Sequence, residues 1–301
     1  MAIVPTTTFS LVARDPRDGS LGVAVASRHF DVGSRVAWAE AGVGAVATQA
    51  FIDPGYGPRA LARMKRGASA DDALASLVSD DDQREIRQVG VVDAAGLAAV
   101  HTGALAVPYV EHRVGENVSI QGNMLAGEGV CAAMEDSFAR AEGPLAIRML
   151  AALEAGEAMG GDLRGRQSAS LLVVQAISAE EPWRNVVVDL RVEDDKTPLV
   201  ELRRLWRLHR AKSALERAEA ALGAGRLDEA RDAFAEGLEL SGREDEYLFW
   251  GGLALSRIGD EDQAVRLLEE AIAKNGRWRT VLERLPSIMR PPEAVSKSLR
   301  I

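Results

Sequence analysis

The sequence predicts an α+β fold followed by an all-α tail, and three observations carry that reading. Runs with the two-residue alternation of paired strands come in blocks, separated by blocks of helical periodicity. From residue 199 onward the texture is wholly helical and no strand-like run follows. Within that tail, Gly225-Arg226-Leu227-Asp228-Glu229-Ala230 lines up with Gly259-Asp260-Glu261-Asp262-Gln263-Ala264 at an offset of 34 residues, the tetratricopeptide period. The expected division is one domain over residues 1–196 and a helical linker with repeats over 197–301.

The elements follow in order. Residues 6–28 read as a hairpin: Phe9, Leu11 and Ala13 alternate with Ser10, Val12 and Arg14, and Leu21, Val23 and Val25 alternate with small residues. Asp15-Pro16-Arg17-Asp18-Gly19-Ser20 reverses the chain between them. A third strand is expected over 42–51, closed by Asp53-Pro54-Gly55-Tyr56-Gly57-Pro58. Helices follow over 59–65 and 73–77, the second capped by Ser69 with Asp71 and Asp72 in its first turn. Strands return over 87–92, 97–101 and 117–121, helices over 129–141 and 144–158, and strands over 168–177 and 185–192. Hairpins grouped between helices favour antiparallel α+β layers over a parallel βαβ sheet, and a four-layer α-β-β-α sandwich is compatible. In the tail, an amphipathic helix starts at Leu199. Two repeats bury too little surface alone, so they are expected to pack on that helix, on the first domain or on another subunit. A protein-binding groove and a dimerisation or packing module both fit the pattern.

Composition excludes several classes. The chain has 301 residues, 47% of them hydrophobic, enough for a sizeable core. With 45 acidic against 36 basic side chains and a net charge of −9, it lacks the basic surface a nucleic-acid partner requires. Cys131 stands alone, so no internal disulfide and no thiolate zinc cluster can form, and it reads as a small buried helix residue. The histidines His29, His101, His112 and His209 show no metal-ligand spacing, and Gly127-Glu128-Gly129 lacks a phosphate-loop lysine. No metal and no cofactor are expected. Neither a signal segment nor a run of about 18 apolar residues is present, so a cytoplasmic protein without a membrane partner is expected.

The hydroxyl cluster Thr6-Thr7-Thr8 raises a chemical question. A threonine at a mature N-terminus carries both a nucleophilic hydroxyl and, in its own α-amine, a base with an ordinary pKa near 8. By themselves the three threonines read more readily as ordinary β-formers. Gln49 and Asn123, at strand ends beside small residues, offer neutral donors to an oxyanion or a substrate amide, or else bond to backbone. The loop Asp162-Leu163-Arg164-Gly165-Arg166-Gln167 is dense in charge: its arginines suit an acidic small substrate, and an Asp162–arginine pair bracing the loop suits it as well.

Thr8-Phe9-Ser10-Leu11-Val12-Ala13-Arg14-Asp15, Gly22-Val23-Ala24-Val25-Ala26-Ser27-Arg28, Ala47-Thr48-Gln49-Ala50-Phe51, Gln121-Gly122-Asn123-Met124-Leu125 and Gly161-Asp162-Leu163-Arg164-Gly165-Arg166-Gln167-Ser168-Ala169 together resemble the family catalogued as domain of unknown function 1028. That family is assigned to the N-terminal-nucleophile (Ntn) hydrolase superfamily. The resemblance implies the four-layer α-β-β-α sandwich and a catalytic Thr8. Ala26-Ser27-Arg28 falls where the superfamily's threonine peptidases carry Asp-Ser-Arg, which implies a catalytic Arg28, although Ala26 replaces the acid and no lysine occurs near Trp38. The function expected is therefore an amidohydrolase acting on a small amide or peptide-like bond. Thr8, Arg28 and Asn123 are expected to be catalytic, with Gln49, Asp162, Arg164, Arg166 and Gln167 at the substrate. Because Met1 to Thr7 precede Thr8, cleavage after Thr7 is required. The alternative is a catalytically silent scaffold that uses the repeat tail for a protein partner. A homodimer through the helix from Leu199 is expected from its apolar stripe.

Overall fold

The hairpin at the start of the chain is built by its turn. In the computed structural model, which describes residues 8–300, β1 (Thr8–Arg14) and β2 (Leu21–Ser27) pair antiparallel in full register from Thr8↔Ser27 to Arg14↔Leu21. Asp15 N donates to Ser20 O, and the Asp15 carboxylate accepts from the backbone N–H and guanidinium of Arg17. Gly19, at φ +77°, takes the left-handed corner, where a Cβ would lie 2.8 Å from the Ala176 side chain. The expected cleavage after Thr7 falls outside the described residues.

Next come a one-turn helix α1 (Gly33–Val36), β3 (Ala37–Glu40) and β4 (Gly44–Ala50), then helices α2 (Tyr56–Lys65) and α3 (Ala70–Ser79). Ser69 caps α3 by accepting from Asp72 N at 3.1 Å. The chain continues through β5 (Arg87–Asp93), β6 (Ala98–Thr102), β7 (Glu111–Gly115) and β8 (Val118–Asn123), then α4 (Val130–Arg140) and α5 (Leu145–Ala158), β9 (Ser168–Val174) and β10 (Val186–Val192). The sequence reading lacks α1, β3 and β7. All three are four or five residues long, too short to express a period, and β3 and β7 are edge strands, each bonded only to the strand that follows it.

The strands form two antiparallel sheets, one in the order β10-β9-β2-β1-β8-β7 and one in the order β3-β4-β5-β6. Helices α4 and α5 pack on one face of the larger sheet, its other face meets the smaller sheet, and α2 and α3 cover that sheet's outer face. Alternation along β1 sends Phe9 and Leu11 towards α4 and α5, and Thr8, Ser10 and Val12 towards the smaller sheet. The space between the sheets is graded. Val12, Val23, Val25, Ala45, Ala47 and Val92 form an apolar core, whereas the end at which β1 begins is polar.

Two compact units are resolved, Met1–Arg203 and Arg204–Ile301. They part inside a helix, α6 (Pro198–Gly223), somewhat beyond the change of texture that the sequence places at 196/197. Along α6, Leu199, Leu202 and Trp206 are buried, as are Ala211, Ala214, Ala218 and Ala221. In the second unit, α7 (Leu227–Leu240) and α9 (Glu261–Lys274) start and end at the same 34-residue offset, and α8 (Asp245–Arg257) ends that far after α6. Glycines let the helices of each pair approach closely: a Cβ on Gly237 would lie 3.2 Å from Ala211 O, and one on Gly252 3.2 Å from Ala264 O. The chain closes with α10 (Arg277–Arg284) and α11 (Glu293–Leu299). Phe249 stacks on Trp278 at 4.3 Å, and Asp245 accepts from Trp278 Nε1 and Asn275 Nδ2.

Candidate functional site

Thr8 is the first residue of β1, next to the middle of the larger sheet, and stands between Ser27 on β2 and Asn123 on β8 in the strand register. It is fully buried, and its hydroxyl donates to Ser27 Oγ at 3.3 Å. Around it the two sheets are joined by side-chain amides. Gln49 on β4 and Gln88 on β5 are register partners in the smaller sheet, and Gln121 and Asn123 lie two residues apart on β8. All four are fully buried.

The direction of every bond in this network is determined by backbone carbonyls, which can only accept. Gln88 Nε2 faces Gly122 O at 3.0 Å and Glu111 O at 3.2 Å, so its Oε1 must be the acceptor on the other side. That oxygen receives Gln49 Nε2 at 2.8 Å and Asn123 Nδ2 at 3.1 Å. Gln49 Nε2 also faces Thr8 O and Gln121 O, both at 3.3 Å, which leaves Gln49 Oε1 to accept from Ser10 Oγ at 2.6 Å. Ser10 in turn accepts from Gln121 Nε2, and Gln121 Oε1 accepts from Ser119 Oγ. At the far end Thr102 Oγ1 accepts from Gln88 and meets Nδ1 of the exposed His112. One atom is left over: Asn123 Oδ1 has no hydrogen-bond partner among the described residues.

The backbone is strained beside this network. Ala50 and Met124, the residues that follow Gln49 and Asn123, take φ of +67° and +48°, a region costly to any side chain with a Cβ. Gly90, in the middle of β5, is required by contact: a Cβ there would lie 2.2 Å from Gln121 Oε1.

The charged residues form a second group. Asp162 is buried and accepts from Arg28 N at 2.7 Å, from Arg164 N at 2.9 Å and from the Arg164 guanidinium. Its carboxylate therefore braces the loop to the end of β2. Arg28 itself is exposed, donates to Arg164 O at 3.2 Å, and lines an open depression of about 650 Å³ with Arg166, Gln167, Asp194, Asp195 and Lys196. Arg166 pairs with Glu157 at 3.2 Å, where burial pushes the Glu157 carboxyl up and Arg166 opposes the shift. The expected site residues thus fall into an interior set, Thr8, Gln49 and Asn123, and a surface set, Arg28, Arg166 and Gln167. The step from Ser27 to Arg28 joins them, with Asp162 and Arg164 behind. Ser10, Gln88, Gln121 and Gly90 were missed by sequence reasoning. The signal was there, in polar side chains at core-facing positions of apolar strands and a glycine in mid-strand.

Elsewhere, Cys131 is buried and burial pushes its thiol up, while its backbone N and that of Gly129 donate to the Glu111 carboxylate at the start of α4. Among the described residues no three metal-ligating side chains come together, and no helix is long and apolar enough to cross a membrane.

Comparison with known proteins places this geometry in a group. The model of a family of unknown function, DUF1028, matches residues 8–202. The crystal structure of a DUF1028 protein from Silicibacter pomeroyi is similar at a TM-score of 0.60 and 30% identity, covering 67% of this chain and 88% of that one. No curated protein matches the sequence.

Proposed function

We propose, for a chain that belongs to the DUF1028 family of unknown function, that it is an Ntn-type amidohydrolase whose nucleophile is Thr8 after cleavage behind Thr7. Two facing antiparallel sheets between helix layers fit the Ntn sandwich. The observation that carries the reading is the place of Thr8: first in an inner strand, hydroxyl towards the polar end of the inter-sheet space.

In this reading the Thr8 hydroxyl attacks the carbonyl carbon of a small amide and passes its proton to the α-amine. The amine delivers that proton to the leaving nitrogen as the C–N bond breaks. Water then attacks the acyl-enzyme ester, its proton returns to the threonine oxygen, and the carboxylic acid leaves. Arg28 stabilises the oxyanion or a substrate carboxylate, Arg166 and Gln167 line the approach, and Asp162 with Arg164 hold Arg28 in place. The tail, with tetratricopeptide-like spacing, supplies a surface for a partner or a second copy. Intact mass and N-terminal sequencing of freshly purified protein, beside Thr8→Ala, test the proposal. A wild-type chain beginning at Thr8 and an uncut variant are expected. If both keep the residues ahead of Thr8, the mechanism fails.

A silent scaffold is favoured by one observation, the complete burial of Thr8 in the uncut chain. A wild type that stays uncut and binds a partner through the repeat unit would establish it.

A further inference from the structure

The leftover oxygen of Asn123 has a direction that the rest of the network imposes. Its amide cannot turn over, because Oδ1 would then face Gln88 Oε1, and that atom is fixed as an acceptor by Gln88's own bonds to Gly122 O and Glu111 O. Asn123 therefore presents an acceptor and no spare donor directed at Gln88's side. Its strand neighbour is Thr8, with Cα atoms of such antiparallel partners about 4.5 to 5.5 Å apart, and both side chains share the inter-sheet face. A fully buried carbonyl oxygen without a donor is costly, so a position built to keep one is built for a hydrogen that arrives later.

We propose that Asn123 Oδ1 is the acceptor for the α-amine of Thr8 once Thr8 is N-terminal, and that Asn123 is thus a positioning residue that orients the base, with Gln88 locking its amide. This rests on the Thr8 reading above. It departs from a role for Asn123 as an oxyanion donor, because the atom that the network leaves without a partner is its oxygen, which can only accept. Held by Asn123, the α-amine keeps its lone pair turned towards the Thr8 hydroxyl. The protonated amine gains most from the bond, so the acceptor raises the amine's pKa relative to the same chain without it.

The test uses a chain cut ahead of Thr8 by an inserted protease site, which keeps every described element because β1 starts at Thr8. The pH dependence of acetylation of the Thr8 amine by acetic anhydride, read by mass spectrometry of the N-terminal peptide, gives its pKa. Asn123→Leu is expected to lower that pKa by about 0.5 to 1 unit, and Asn123→Asp to raise it by at least as much. Gln88→Leu, which frees the amide to turn, is expected to lower it by less. A pKa unchanged in every variant that folds overturns the proposal. The readout needs no substrate: a responsive amine on a chain that never forms an acyl-enzyme would sink the amidohydrolase reading and leave the Asn123 contact standing. An unresponsive amine on an active chain would do the reverse.

Discussion

At Ala50 the backbone sits at φ +67°, where a Cβ is costly, yet the residue is fully buried beside Gln49. Glycine there relieves the clash and gives up some unfolded-state order. Ala50→Gly is therefore expected to raise stability by up to about 1 kcal/mol, against the usual sign for that exchange, in urea denaturation. Gly90 behaves in the opposite way. Gly90→Val places methyl groups where Gln121 Oε1 lies and is expected to cost about 2 to 4 kcal/mol by overpacking and by stranding buried amides. Asp15 carries the pH dependence of the hairpin turn. The hydrogen bond from the Arg17 side chain, chiefly, holds its carboxyl below the usual 3.8, and burial opposes the shift. A lowered pKa means that the unfolded chain takes up the proton first. The stabilisation is therefore fully present above the ordinary value and lost as pH falls through the lowered one. Asp15→Asn is expected to be less stable than wild type at pH 7, with the gap closing below about pH 4 in thermal melts across pH.

Among the elements, β1 decides the site and the helix pairs decide the tail. β1 is bonded on both sides, by β2 and β8, so the position of Thr8 is set by two registers at once. Within the apolar contact of α8 with α9, the closest approach of the backbones is at Gly252, where a Cβ would lie 2.9 Å from Leu268 Cγ and 3.2 Å from Ala264 O. Gly252→Val is expected to destabilise the helical unit by about 1 to 3 kcal/mol, read as an earlier loss of Trp250 and Trp278 fluorescence. Circular dichroism from the strands, and acetylation of the Thr8 amine in a cut chain, should stay as in wild type. The 34-residue offset was visible in the sequence because both copies repeat the same glycine-to-alanine spacing. The agreement of helix ends at that offset is a property of the folded chain alone.

For the whole molecule, two units with separate cores are expected to unfold in a process that is not two-state, so the calorimetric enthalpy should exceed the van't Hoff enthalpy; equal values would show a single cooperative unit. The sequence by itself determined the hairpin around Asp15 to Gly19, the helices over 129–158, the antiparallel class and the helical tail. Each of those follows from a local period or a turn residue, and such signals are carried by neighbours in the chain. It also singled out Thr8, Gln49 and Asn123 as polar groups at strand ends. Only the tertiary structure decided that Gln49 reaches Gln88 and Thr8, that Gly90 exists to admit Gln121, and that Asn123 is left with an open acceptor. The physical reason is that, apart from the Gln49–Gln88 bond within the smaller sheet, these contacts cross between two sheets. Their partners lie 35 to 41 residues apart, and which polar atoms meet there depends on the facing of strands that no local pattern records.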